Sequence, residues 1–176
     1  MWISKRVILS GTVAVVAAMS MALAVGAFAD HGGHHNDRRG HDDATVLDET
    51  LAPSIPTDPT FHGVAPGGAP WVLKRGDVEL TRKGKLELRV RGLVIPNPPG
   101  NGTPGPVTTI SASLYCGGDS GTTAADTTPQ SPINARGDAR IRDRSFNVPD
   151  TCLAPVILVH PNGDAAHYIA VEGRRT

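Results

Sequence analysis

Aromatic side chains are scarce in this chain: three Phe, two Tyr and two Trp, 4% of 176 residues. Proteins that grip nucleic acid need clustered Lys and Arg, and single strands need aromatic platforms as well. Composition therefore excludes nucleic acid as the expected partner. Charge of one sign is not in excess either, with 17 basic against 17 acidic side chains. There is no Cys-x-x-Cys and no phosphate-cradling Gly loop, which removes those redox and nucleotide-binding readings. Beyond the first 29 residues no run carries helical periodicity. Only two cysteines occur.

What is there begins with a leader. MWISKR carries two positive charges, an apolar stretch follows over residues 7–28, and Ala27-Phe28-Ala29 supplies the small-x-small pattern of a cleavage site. Residues 1–29 read as a cleaved signal peptide, on the general secretion route because Lys5-Arg6 is not a twin-arginine pair. An uncleaved membrane anchor is the alternative, since 22 residues are long enough to span a bilayer. Small and hydroxylated residues thin that stretch and favour cleavage. The mature chain then has 15 basic and 17 acidic side chains, a charge of −2, so no strong electrostatic partner is implied.

Residues 30–60 have the composition of a disordered linker, opening with DHGGHHNDRRGHDD and ending in three prolines. A helical turn over 46–51 is the one structured feature expected there. His31, His34, His35 and His41 are interleaved with Asp37, Asp42 and Asp43. Neutral imidazole is a ligand for Zn, Cu and Ni, so this tract is a candidate metal-capturing tail. The bland reading is a polar spacer. A rigid metal site fixes ligand spacing, and this tract has no rigid element to do so.

From residue 61 the composition changes to short β-rich runs punctuated by Gly, Pro, Asn and Asp. Residues 107–116 (VTTISASLYC) alternate Ile110, Ala112, Leu114 and Cys116 against Thr109, Ser111, Ser113 and Tyr115, the pattern of a half-buried strand. Residues 77–81 place Val78 and Leu80 on one face. Residues 85–91 place Leu86, Leu88 and Val90 inward and Lys85, Glu87, Arg89 and Arg91 in water, with 82–84 as a hairpin loop between the two. Further strands are expected at 71–73, 92–95, 139–148, 156–160 and 168–172. The one at 139–148 changes phase, which a bulge at 143–145 would repair. Residues 156–160 are apolar on both faces. Residues 96–106 and 117–132 read as long polar loops.

Seven or eight short strands in one domain over 61–176 predict an all-β, immunoglobulin-like antiparallel sandwich, with a small β-barrel as the alternative. In an exported chain two cysteines pair most simply with each other, so Cys116 and Cys152 are expected as a disulfide. Closing that loop of 36 positions destabilises the unfolded chain by about 4 kcal/mol on the chain-entropy model.

Five features compete for a chemical role. Cys116-Gly117-Gly118-Asp119-Ser120-Gly121 resembles the nucleophile segment of chymotrypsin-like proteases, but Ala165-Ala166-His167 follows Ser120 where that family's histidine precedes it. A Gly-rich loop after a strand is the simpler reading. Arg75-Gly76-Asp77 and Arg136-Gly137-Asp138 read as two uses of one turn before a strand. Asn101-Gly102-Thr103 fits a glycosylation sequon. His62, His160 and His167 could meet Asp164 at a metal, against the plainer reading of histidines bonded to backbone. Glu79 and Glu87 are expected as solvated pairs near Arg82 and Arg89.

Taken together, Trp71, Gly76-Asp77-Val78-Glu79-Leu80, Gly84-Lys85-Leu86, Gly92-Leu93-Val94-Ile95, Ala112 to Gly117, Gly137-Asp138-Ala139-Arg140-Ile141 and Cys152-Leu153-Ala154-Pro155 resemble a group of small secreted proteins of high-GC Gram-positive bacteria. That group carries no assigned activity. The resemblance implies bacterial export and a disulfide-linked sandwich, and it contributes no catalytic residues. The expectation is a secreted, non-enzymatic binding or structural module with an unknown extracellular partner, its loops 96–106 and 117–132 offering contacts from the ends of the sandwich. It would touch membrane only through an uncleaved leader. Metal capture (Zn, Cu or Ni) by the tail is the alternative, and a hydrolase the third reading.

Overall fold

The computed structural model describes residues 44–118 and 121–173. Eleven β segments follow in order: β1 (Thr45–Pro53), β2 (Ala65–Pro66), β3 (Arg75–Thr81), β4 (Leu86–Arg91), β5 (Thr109–Tyr115), β6 (Asp126–Thr127), β7 (Ser131–Pro132), β8 (Ala139–Asp143), β9 (Val156–Pro161), β10 (His167–Tyr168) and β11 (Ala170–Glu172). There is no α-helix among the described residues. The chain is all-β, as its alternation predicts.

Nine segments make one antiparallel sheet in the order β6-β5-β9-β11-β1-β3-β4-β8, with β7 also on β5. The sheet curls halfway round a shared core, an arrangement between sandwich and barrel. β1 makes the bend. Its first part, through Thr50, pairs with β3, while Leu51, Ala52 and Pro53 pair with β11. One flank is therefore β1-β3-β4-β8 and the other β1-β11-β9-β5. Leu80, Leu88 and Ile141 from the first meet Ile110, Leu114, Ile157 and Val159 from the second in one buried cluster. At roughly 1.5–3 kcal/mol for each large side chain fully removed from water, this cluster is the main stabilising term.

β1 corrects the expected linker. The sequence predicts a disordered segment here with a helical turn over 46–51, whereas residues 45–53 form a strand inside the sheet. Leu47 and Leu51 stand four apart, a spacing shared by one face of a helix and one face of a strand. Pairing with β3 on one side and β11 on the other decides between them. The folded part thus begins by Thr45, not at residue 61. The leader and the rest of the expected linker, through Asp43, lie outside the described residues.

The hairpin β3-β4 is as expected, with Val78 opposite Leu88 and Leu80 opposite Leu86. Gly84 closes it at φ 77°, and the Phe146 carbonyl sits where a Cβ would stand. That contact also revises the end of β8. The phase change is not a bulge within a strand: β8 stops at Asp143, whose carboxylate accepts the Ser145 amide at 2.8 Å. The chain then folds back so that Phe146 donates its amide to Gly84 and buries its ring under the hairpin. The expected strand at 168–172 is likewise split, into β10 and β11, and the loop at 117–132 contains the two short edge segments β6 and β7.

β5 differs from its expected half-buried state. Ser111, Ser113 and Tyr115, read as its wet face, are 2%, 1% and 3% exposed. Tyr115 is covered by the strap that runs from Ser54 through β2, in a second, smaller cluster with Phe61, Val64, Leu158 and Tyr168, and Ser113 bonds Thr127 of β6. Tyr168 holds the strap down by donating its hydroxyl to the Pro59 carbonyl at 2.7 Å. β2 runs parallel to β10. Sheet flank β5-β9-β11 is therefore buried on both sides. Flank β1-β3-β4-β8 is wet on its outer side.

Candidate functional site

The outer face of β1-β3-β4-β8 is a charged surface, and strand alternation builds it. With Leu86, Leu88 and Val90 committed to the core, Glu87, Arg89 and Arg91 must point outward. The same rule applied to β3 exposes Arg75, Asp77 and Glu79, and applied to β8 exposes Arg140 and Arg142. Antiparallel register then sets these residues in rows. One row reads Asp48, Glu79, Glu87, Arg142, and the next reads Asp77, Arg89, Arg140. At the end of the hairpin Arg75 stands opposite Arg91.

Glu87 is the hub. It accepts hydrogen bonds from Arg140, from Arg142 Nε at 3.0 Å and from Arg89 Nη2 at 3.3 Å. The bond from Arg140 is the main reason its carboxyl is held below the usual glutamate range. The Glu87–Arg89 pair matches expectation. The other expected neighbour does not contribute: Arg82 donates to the Asp150 carbonyl at 3.3 Å. Arg75 Nε donates to Asp77 at 2.9 Å, and the carboxylate raises the guanidinium pKa further. Shallow clefts open along this face. The first, about 310 Å³, is bounded by Asp48, Asp77, Glu79, Glu87 and the two arginines Arg75 and Arg89.

The two Arg-Gly-Asp tripeptides are not one turn used twice. Arg75-Gly76-Asp77 lies within β3, where Gly76 is required because a Cβ would stand 2.8 Å from Leu51 Cβ and 2.7 Å from Leu73 Cδ2. Arg136-Gly137-Asp138 is a turn, with Asn134 Oδ1 accepting the amides of Arg136 and Asp138.

Cys116 and Cys152 are bonded, with Cα atoms 5.0 Å apart, tying the end of β5 to the segment that leads into β9. The loops 96–106 and 117–125 stand at opposite ends of β5. The first is fixed near Asn162, which donates to the Pro106 carbonyl, and the second near Leu153, whose carbonyl accepts the Gly117 amide.

The folded histidines do not converge. His62 is 4% exposed, donates Nδ1–H to the Gly121 carbonyl at 2.6 Å and stacks on Tyr115 at 4.9 Å. His160 lies four residues further along the sheet, opposite Ser111, and donates to the His167 carbonyl at 2.8 Å. His167 itself is exposed and bonds Asp164 Oδ2 at 2.8 Å, which holds that carboxyl below its ordinary range. Backbone partners for His62 and His160 are what the plainer sequence reading expected. Among the described residues no group of three or more His, Cys, Asp or Glu side chains is placed to hold a metal ion. His31, His34, His35, His41 and Ser120 lie outside the described residues.

His160 Nε2 is buried without a hydrogen-bond partner, and burial pushes the imidazole pKa down. Glu172 shows the opposite effect. Burial raises its carboxyl to about 7, with the charge of Glu49 adding to the rise and the Ile157 amide opposing it. Sequence reasoning singled out His160 but not its burial, and it missed Glu172 and the convergence of three arginines on Glu87. The alternating arginines of Arg89-Val90-Arg91 and Arg140-Ile141-Arg142 are visible in the chain, but only strand order makes them neighbours.

No family model, no curated protein and no solved structure matches the chain.

Proposed function

We propose that the chain is an exported, non-enzymatic binding module that works at or outside the cell surface. The observation that carries this reading is the outer face of β1-β3-β4-β8, four strands wide, with its charged side chains set in register by a filled core beneath. A sheet holds polar groups more rigidly than a loop does, and rigid placement lowers the ordering cost of binding. The leader and the disulfide support the location, since disulfides persist in oxidising surroundings. The Cys116–Cys152 crosslink and the Asn162 turn hold the two ends of β5 on the opposite flank.

Sedimentation of the secreted protein with washed envelopes of the cells that produce it tests the reading. The protein is expected in the pellet at low salt and in the supernatant once salt shortens the screening length to about 3 Å, near 1 M. Equal recovery in the supernatant with and without envelopes at low salt overturns it.

A further inference from the structure

Four pairs of like charges stand directly opposite each other on the wet face: Asp48 with Glu79, Glu79 with Glu87, Arg89 with Arg140, and Arg75 with Arg91. Like charges in that position destabilise a sheet, so each needs a counter-charge. The Glu79–Glu87 and Arg89–Arg140 pairs have one within the chain. Glu87 is ringed by three arginines, so that one carboxylate gives Arg89 and Arg140 a shared partner while leaving the group net positive. Of the two arginine pairs, Arg75–Arg91 is the incomplete one. Arg75 is occupied by Asp77, while the Arg91 side chain makes no hydrogen bond or ion pair among the described residues.

Arg91 also lines two clefts at once. On one side it meets Arg75, Asp77 and Arg89, and on the other Arg89, Asp138 and Arg140. Both carboxylates in these clefts are engaged, Asp77 by Arg75 Nε and Asp138 by the Gly92 amide. The mature chain has no surplus of basic residues, so an unmatched arginine beside a second arginine is not a by-product of overall charge.

We propose that Arg91 and Arg75 form a fork for a phosphate oxyanion, with Arg89 and Arg140 extending it into the flanking clefts for a ligand that carries several phosphates. Guanidinium is planar and presents paired donors, so two forks from neighbouring strands match a tetrahedral oxyanion, whereas a carboxylate fills one. The proposal names the ligand class of the surface described above and rests on the reading of that surface as a binding face.

The test is binding of the full secreted protein to fluorescent linear polyphosphate, with poly-glutamate of equal charge as the comparison, measured by anisotropy at low salt. Polyphosphate is expected to bind at least roughly tenfold more tightly than poly-glutamate, and Arg91→Ala to weaken it by a similar factor. Arg91→Lys should recover only part of the loss, because an ammonium is a point charge. Arg82→Ala, which removes an exposed arginine at the hairpin tip, should leave binding unchanged.

Equal affinity for the two polymers, or equal losses in Arg91→Ala and Arg82→Ala, overturns the fork. Displacement of the polymer by millimolar inorganic phosphate assigns recognition to a single phosphate group, and resistance to it assigns recognition to the chain of phosphates. Arg91 is exposed, so its variants keep the core intact, and an unchanged thermal melt verifies that. Envelope sedimentation that persists while polyphosphate binding fails would sink the fork and leave the binding-module reading standing.

Discussion

The two flanks of this sheet obey the same alternation and end in different environments. On β4 every second residue is charged, and the outer face stays in water. On β5 every second residue is Ser or Tyr, and the strap over residues 54–66 covers that face. Charge keeps a sheet face open because burying unpaired ions costs several kcal/mol, whereas a hydroxyl needs only one hydrogen bond. Ser113 finds one in Thr127 Oγ1 at 2.7 Å. Stability should therefore be concentrated in the doubly covered flank and binding on the open one.

Leu158→Ala is the most severe way to probe that division. Leu158 is fully buried on the covered outer face, and its truncation should lower unfolding free energy by about 2–4 kcal/mol, read from denaturant melts. A loss under about 1 kcal/mol would mean that the strap is a loose cover.

Glu172→Gln sharpens the comparison through pH. The folded pKa of about 7 lies above the ordinary 4.5, so the folded state binds the proton more tightly than the unfolded chain does. Stability should fall as pH rises from about 4.5 to about 7 and stay low above that range. The variant should lose this slope and gain about 1–2 kcal/mol at pH 8, after discounting for the exposed part of the side chain. His160 contributes in the other direction, because a depressed imidazole pKa withdraws stability as pH falls below its unfolded value of 6.5. Melts from pH 4 to 9 with and without the Glu172 substitution separate the two.

Glu87→Gln should have the smallest effect, under about 1 kcal/mol despite three arginine partners, because exposed pairs are screened. A larger loss would make the open face part of the scaffold.

The inward faces of β3, β4 and β9 were legible because their apolar residues alternate or run unbroken between turn residues. The disulfide was legible from cysteine count and the expectation of export. β1 was not, since VLDETL offers the same two leucines to a helix or a strand and its partners lie about 30 and 120 positions away. The burial of Tyr115 was hidden for a related reason: the cover comes from Phe61 and Val64, in a stretch dominated by Pro and Gly. The arginine rows were written in the chain as alternation, but cross-strand neighbours depend on sheet order. No local pattern specifies that order.

β1 carries one last consequence, in time. Its two pairings mean that the first described strand is locked only when the last described one arrives, since Pro53 waits for Ala170 and Leu51 for Glu172. Until β11 has been made, the bend at the heart of the sheet has only one bank to hold it. A chain arranged this way stays threadable until β11 is available, and loss of Ala170–Glu172 would leave a half-zipped seam between the two flanks.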